Sequence, residues 1–396
     1  MKKLSEIASM EPSPVRKIFE MAQKMEDIVN FSLGEPNFVT PESVIQAAVK
    51  SLNRGETHYT PNAGIPELKK AIAENLGSFD RVDYDPDSEI VVTSGGMEAL
   101  VLALLTLIDP GDEVILANPA YTNYRDQIRI CKGIPKYVPV FEKDGFNITK
   151  TGLENAVSSK SKVILLNTPA NPTGGVASRE LLEELAETAV KHDLYVIFDE
   201  VYKYLQYDGE SFFNIARAPG MRERTLVIDS FSKSYAMTGW RIGYLAGPAA
   251  VVSNIPKIHE NIVSCLPTFV QRAAAEALRN SGSAVMAMGE EYRRHREMIW
   301  QGINRIEGLS CIKPAGAFYA FVNIRRTGLS SEQFALRLLQ EGHVAAPPGS
   351  AFGSEGEGFI RLSYATSEGN IREGLRRIEK FMDGLMREKV QENAVD

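Results

Sequence analysis

Thr225-Leu226-Val227-Ile228-Asp229-Ser230-Phe231-Ser232-Lys233-Ser234-Tyr235-Ala236-Met237-Thr238-Gly239-Trp240-Arg241 contains a strand and the residues that strand delivers. Its first four residues form a short, β-branched apolar run bounded by charge, which reads as a buried strand. Lys233 is thereby placed near a strand end. Ser230 and Ser232 supply two hydroxyls just before it, and Arg241 lies eight residues further on, past a Gly239 that permits a tight bend. Hydroxyls with a guanidinium make a phosphate site, because arginine grips phosphate in a two-pronged fork. The same positive charge helps keep a neighbouring lysine amine unprotonated and able to attack a carbonyl.

On the N-terminal side of this stretch, strand-like and helix-like segments alternate. Runs at 89–93, 113–117, 136–140, 163–166, 194–198 and 225–228 read as strands, and helical patterns at 97–107, 123–131, 153–158 and 179–192 separate most of them. Such alternation predicts an α/β fold with a mostly parallel sheet sandwiched by helices, whose ligands gather at the carboxyl ends of the strands. Beyond Tyr244 the alternation stops. A long helical stretch at 268–306 carries Arg293, Arg294, His295 and Arg296, expected on a solvated helix face that links two domains. Strand-like runs at 314–321, 343–346 and 358–364, with a helix at 331–341, predict a second, smaller α+β domain. The chain closes with a charged amphipathic helix and a frayed tail at 392–396.

Chemically suggestive residues fall near the predicted strand ends. Gly95 and Gly96 open a helix after a strand, so bare backbone amides face an incoming anion. Asp199 ends an apolar strand, where a carboxylate is costly unless partnered. Arg361, on a strand of a compact domain, needs an anion. Taken singly, each has a plainer explanation: packing for the glycines, a structural ion pair for Asp199, an internal glutamate for Arg361.

The totals bound the rest. The chain has 396 residues, 44% hydrophobic and 24% charged, which is enough for two domains. Forty-four basic against 51 acidic side chains give a net charge of −7 without a like-charged block, so nucleic acid and membrane are not expected partners. Cys131, Cys265 and Cys311 are odd in number and far apart, which argues against disulfides or a metal site. Near the N-terminus, Glu6 and Pro14 interrupt anything like a signal-peptide core, and a cytoplasmic enzyme is expected.

A nucleophilic amine beside a phosphate clamp suggests pyridoxal phosphate, held on Lys233 as a Schiff base. The run from Ser230 through Arg241, followed by Ile242 and Gly243, resembles the cofactor-lysine motif of the class I and II, fold type I, pyridoxal-phosphate-dependent aminotransferases. The likeness extends over nearly the whole chain and is nearest in flavour to the aspartate and aromatic subgroup. It implies that Gly95, Gly96 and Met97 clamp the phosphate together with Ser230, Ser232 and Arg241, and that Tyr121 stacks on the ring. Asn171 and Tyr202 would bond the ring oxygen, and Asp199 the ring nitrogen. Gly34 would line the substrate pocket, and Arg361, with Asn171, would bind the substrate, the arginine at its α-carboxylate. Tyr59 would reach the phosphate of a second subunit, which makes a homodimer with shared active sites.

The resemblance also implies 1–45 as an N-terminal arm with part of a small domain, 46–289 as the cofactor domain and 290–396 as the small domain. The expected reaction moves an amino group from an aromatic, aspartate or broadly chosen L-amino acid to a 2-oxo acid such as 2-oxoglutarate, in a ping-pong cycle. Lys233, Asp199 and Tyr202 are its catalytic residues. Met97 stands where aspartate-specific relatives often carry lysine, which favours an apolar or adaptable pocket. Two rivals are a C–S β-lyase with the same cofactor groups and a non-catalytic, cofactor-sensing regulator. The regulator would be expected to carry a DNA-binding extension, and no basic recognition helix is seen.

Overall fold

The computed structural model describes residues 4–10, 13–208 and 211–392; the tail expected at 392–396 lies outside them beyond residue 392. In chain order the strands are β1 (Val29–Asn30), β2 (Ile90–Thr93), β3 (Glu113–Asn118), β4 (Ile134–Pro139), β5 (Ser161–Asn167), β6 (Tyr195–Asp199), β7 (Thr225–Ser230), β8 (Gly243–Ala246), β9 (Tyr319–Asn323), β10 (Val344–Ala345) and β11 (Phe359–Ser363). Seven of them form one sheet, ordered β2-β8-β7-β6-β5-β3-β4. Only β8 runs against its neighbours β2 and β7.

Central strands such as β7 are buried along their whole length, as a sheet covered on both faces requires. Helices Gly96–Leu107, Thr122–Ile130 and Arg179–Lys191 follow β2, β3 and β5. The first is apolar nearly all round and packs in a core with Val114, Leu165, Ile197 and Ile228. Arg179–Lys191 begins where the Ser178 hydroxyl accepts the Leu181 amide, satisfying one of the helix's orphan donors.

A second set of strands packs beyond the sheet. β9 and β11 pair antiparallel, with Arg361 opposite Phe321, and β1 pairs parallel with β10, Val29 opposite Val344. The N-terminal segment therefore joins a layer built mainly by the C-terminal third. Helix Ser331–Gly342 enters that layer with a full capping box, Ser330 and Gln333 each satisfying the other's amide.

Four expectations are corrected. The stretch 268–306 is two helices, Thr268–Asn280 and Gly282–Ile303, interrupted at Ser281. Its basic cluster is not wholly solvated: His295 and Arg296 are buried, and Arg296 reaches Asp208 at 2.6 Å and Glu297 at 2.7 Å. The period that places Arg293 and Arg294 outside turns their neighbours inward. β8 continues the large sheet past Arg241, where no further strand was expected, because antiparallel pairing needs only the short return through residues 231–242. Gly239 is not the bend maker: an added Cβ there would meet nothing, whereas Ala236 and Arg241 carry the positive φ values of 52° and 55°.

Candidate functional site

The carboxyl ends of β2, β3, β5, β6 and β7 converge on a cavity of about 390 Å³. Registry sets the floor, since Asn167 lies opposite Asp199 and Asp199 opposite Ile228. Gly34, Gly96, Met97 and Tyr121 line this cavity, as do Asn171, Asp199, Tyr202, Ser230, Ser232, Lys233, Arg241 and Arg361. Tyr59 does not: its side chain is 91% exposed.

One end of the cavity is built for an anion. Gly95 has φ 77°, and an added Cβ would lie 2.8 Å from an Arg241 nitrogen, so close approach of backbone and guanidinium depends on glycine here. Ser230 Oγ donates to Ser232 Oγ at 2.9 Å. Arg241 donates to the Thr238 carbonyl at 3.0 Å and forms no ion pair among the described residues. Thr40 braces the turn, bonding the Ala236 carbonyl rather than capping the next helix. Behind the glycines, Glu98 accepts the Ser94 amide and pairs with buried His259 at 3.1 Å.

Lys233 is half-buried in the cavity wall, and its amine bonds the Gly34 carbonyl. Burial pulls its pKa down to about 8; Glu35 opposes this, while the positive charges of Arg361 and Arg241 add to it. Asp199 shows the converse. Burial raises its carboxyl to about 6, even though the Tyr124 hydroxyl, 2.6 Å away, and the Val201 amide favour the ionised form. An amine that gives up its proton easily thus shares a cavity with a carboxylate that needs a positive partner.

Across from them Arg361 is fully buried without a carboxylate partner among the described residues. Its nitrogens donate to Asn171 Oδ1 at 3.0 Å and the Ser32 carbonyl at 2.6 Å, and Nε has no partner. Its guanidinium carbon stands 4.6 Å from the centre of the Tyr319 ring. The Tyr319 hydroxyl meets that of Tyr202 at 2.9 Å, and burial drives the Tyr202 pKa well above its usual value. Any Cβ at residue 34 would overlap that Tyr319 hydroxyl, so Gly34 is required by packing.

Sequence reasoning missed Tyr124, Ser32 and Tyr319. Tyr124 was detectable: it lies three residues after Tyr121, in the first turn of the helix that starts just past that residue. Ser32 acts through its carbonyl, which leaves no side-chain signal.

These residues fit pyridoxal phosphate. The unpaired Arg241 with two hydroxyls and the bare glycine turn suits a phosphate, Asp199 suits a protonated ring nitrogen, and Lys233 suits an aldehyde. Arg361, with an orphan donor, remains for a second anion.

Comparison with known proteins agrees. Residues 26–378 match the family model described as aminotransferase class I and II. The chain is 42% identical to an aromatic-amino-acid aminotransferase 2 of Thermococcus litoralis over 375 residues, covering 94% of this chain and 96% of that one. It is equally similar, at 42% over 375 residues and the same coverage, to an aspartate aminotransferase of Pyrococcus abyssi. Among solved structures, an aspartate aminotransferase of Thermus thermophilus with maleate superposes with TM-score 0.92 at 37% identity, covering 96% of this chain and all of that one.

Proposed function

Because this chain belongs to the class I and II aminotransferases, and is a pyridoxal-phosphate-dependent aminotransferase as they are, we propose how its residues divide the work and which substrates they accept. Relatives of both the aspartate and aromatic kinds favour this activity over a β-lyase or a cofactor-sensing regulator.

Ser230, Ser232, Arg241 and the amides of Gly95, Gly96 and Met97 would hold the phosphate. Tyr121 would stack on the ring, Asn171 and Tyr202 would bond its oxygen, and Asp199 its nitrogen. Bound pyridoxal phosphate supplies an aldehyde that condenses with amines and a positively charged ring that takes up the electron pair left at the substrate Cα. Asp199 keeps that ring protonated through a charge-assisted hydrogen bond. Lys233 Nζ accepts the Cα proton and returns it, a task suited to an amine titrating near 8. Arg361 fixes the α-carboxylate bidentately and so orients the Cα–H bond.

The observation that carries this reading is the pair of cations, Arg241 and Arg361, that lack acidic partners among the described residues and flank Lys233 and Asp199 in one cavity. Val15, Leu33 and Met97 add apolar surface and no cation for a distal carboxylate. Aromatic or broadly chosen L-amino acids are therefore the preferred donors, and a dicarboxylic 2-oxo acid is held by neutral hydrogen bonds.

We propose a homodimer as the functional unit, in which Tyr59, exposed in the single chain, would reach the phosphate bound by a second copy. A cytoplasmic location is supported by three unpaired cysteines, two of them buried. The cofactor domain is assigned to 46–289, and the small domain to 290–396 with part of 1–45, in keeping with the β1–β10 pairing. A half-reaction screen of all amino acids, read by the bound cofactor's absorbance, tests the substrate assignment: aromatic donors are expected to react fastest, and strict preference for aspartate would overturn it.

A further inference from the structure

Beneath the floor of the cavity lies a second charged group that amino transfer does not use. Lys203 Nζ, fully buried, stands 2.8 Å from Asp80 Oδ2, 2.7 Å from Glu200 Oε1 and 3.2 Å from Asp229 Oδ2. Tyr244 donates to Asp229 Oδ2 at 2.9 Å, and Asn214 to Glu200 Oε2 at 2.8 Å. One ammonium thus serves three carboxylates in a space closed to water. Burial holds Glu200 and Asp229 above the usual carboxylate range, while Asp80 and Glu200 overcome burial to hold Lys203 well above its own.

Position along the chain gives this cluster its meaning. Glu200 directly follows Asp199 at the end of β6, and its amide donates to the Ile228 carbonyl on β7 at 3.0 Å. Asp229 directly precedes Ser230 and accepts that residue's amide at 2.6 Å. Two of the three carboxylates held by Lys203, Glu200 and Asp229, are therefore one residue from a cofactor-facing group, on neighbouring strands. Charge is transmitted as well: Asp229 is among the groups that push the Asp199 carboxyl upward.

Resting on the cofactor site proposed above, we infer that Lys203 is a positioning residue for that site: its ammonium ties the ends of β6 and β7, through Glu200 to Asp199 and through Asp229 to the Ser230–Lys233 turn, and screens Asp199 from the carboxylates behind it. A tie that only stabilised the fold would leave the cofactor's behaviour unchanged once the protein was folded. A positioning residue alters it.

The test compares wild type, Lys203→Met and the double variant Asp80→Asn/Lys203→Met, which removes the tie but leaves the cluster's formal charge as it was. Folding is checked by circular dichroism. Pyridoxal phosphate affinity is measured by equilibrium dialysis, and the absorption of the bound cofactor is titrated against pH. Lys203→Met is expected to weaken retention about tenfold and to shift the titration midpoint upward by roughly one pH unit, as an uncompensated negative charge requires. The double variant is expected to regain most of the midpoint but not the affinity.

Wild-type affinity and midpoint in folded Lys203→Met overturn the inference. If that variant does not fold, the double variant decides, and wild-type affinity there overturns it equally. Wild type failing to take up the cofactor at all would instead defeat the underlying site assignment.

Discussion

Tyr124 donates its hydroxyl proton to Asp199 across 2.6 Å, from a helix that begins one residue after the pocket-lining Tyr121. Burial raises the Tyr124 pKa well above its usual value, so it remains a donor throughout the working range. Its bond favours the ionised carboxylate, against burial that favours the neutral acid.

Tyr124→Phe is therefore expected to raise the Asp199 pKa above its value of about 6, leaving less carboxylate near neutrality. The acidic limb of the pH–kcat profile should move up by roughly one unit and kcat should fall about tenfold, with KM little changed. An unmoved profile would leave Tyr124 as a packing residue only.

Asp199 also predicts a conflict between stability and activity. Its folded pKa is raised, so the fold favours the protonated acid, and in the cofactor-free protein stability falls as pH climbs from about 4 to about 6. A shift of this size corresponds to at most about 3 kcal/mol. Cofactor-free Asp199→Asn should melt above wild type at pH 7, with the gap closing toward pH 4, while losing nearly all activity. Parallel melting curves across that range would contradict the assignment of a strained, buried charge.

Lys233 is expected to be the sole attachment point. Lys233→Ala should yield no borohydride-fixed adduct with pyridoxal phosphate, and an adduct that persisted would move the chemistry to another lysine. In wild type, the rate of cofactor capture should rise with pH as the amine loses its proton, with its midpoint near 8, and level off above it. An ordinary exposed lysine would keep gaining rate for about two units more.

Much of this site was legible because a parallel sheet delivers loop residues to one edge in chain order. Gly95, Tyr121, Asn171, Asp199 and Lys233 each lie at or just beyond the end of an apolar run, so local patterning puts them at the sheet's edge, while the roles of Tyr121 and Asn171 came only from the family resemblance. What local patterning lacks is tertiary partnership. Arg296 read as a solvated charge because Asp208, its partner, is 88 residues away. Strand β8 went unseen because its four residues have no period of their own and exist through pairing with β2 and β7. The Lys203 cluster is likewise invisible in one dimension, with Asp80 lying 123 residues from the lysine.

Arg361 gives the sharpest separation between binding and chemistry. Its default partner, an internal glutamate, is absent among the described residues; Asn171 and the Ser32 carbonyl orient it instead, and Nε is left unpaired. A buried guanidinium in that condition is expensive until an anion arrives, so its electrostatic benefit is realised on substrate binding. Arg361→Lys keeps the charge but loses the planar fork, and the KM for amino acids should rise roughly 10- to 100-fold, with a smaller fall in kcat. Pyridoxal phosphate affinity should stay near wild type, because Arg241 and not Arg361 is the proposed phosphate cation. If KM were unchanged, or if cofactor affinity fell in step with it, the α-carboxylate role would have to pass to another residue.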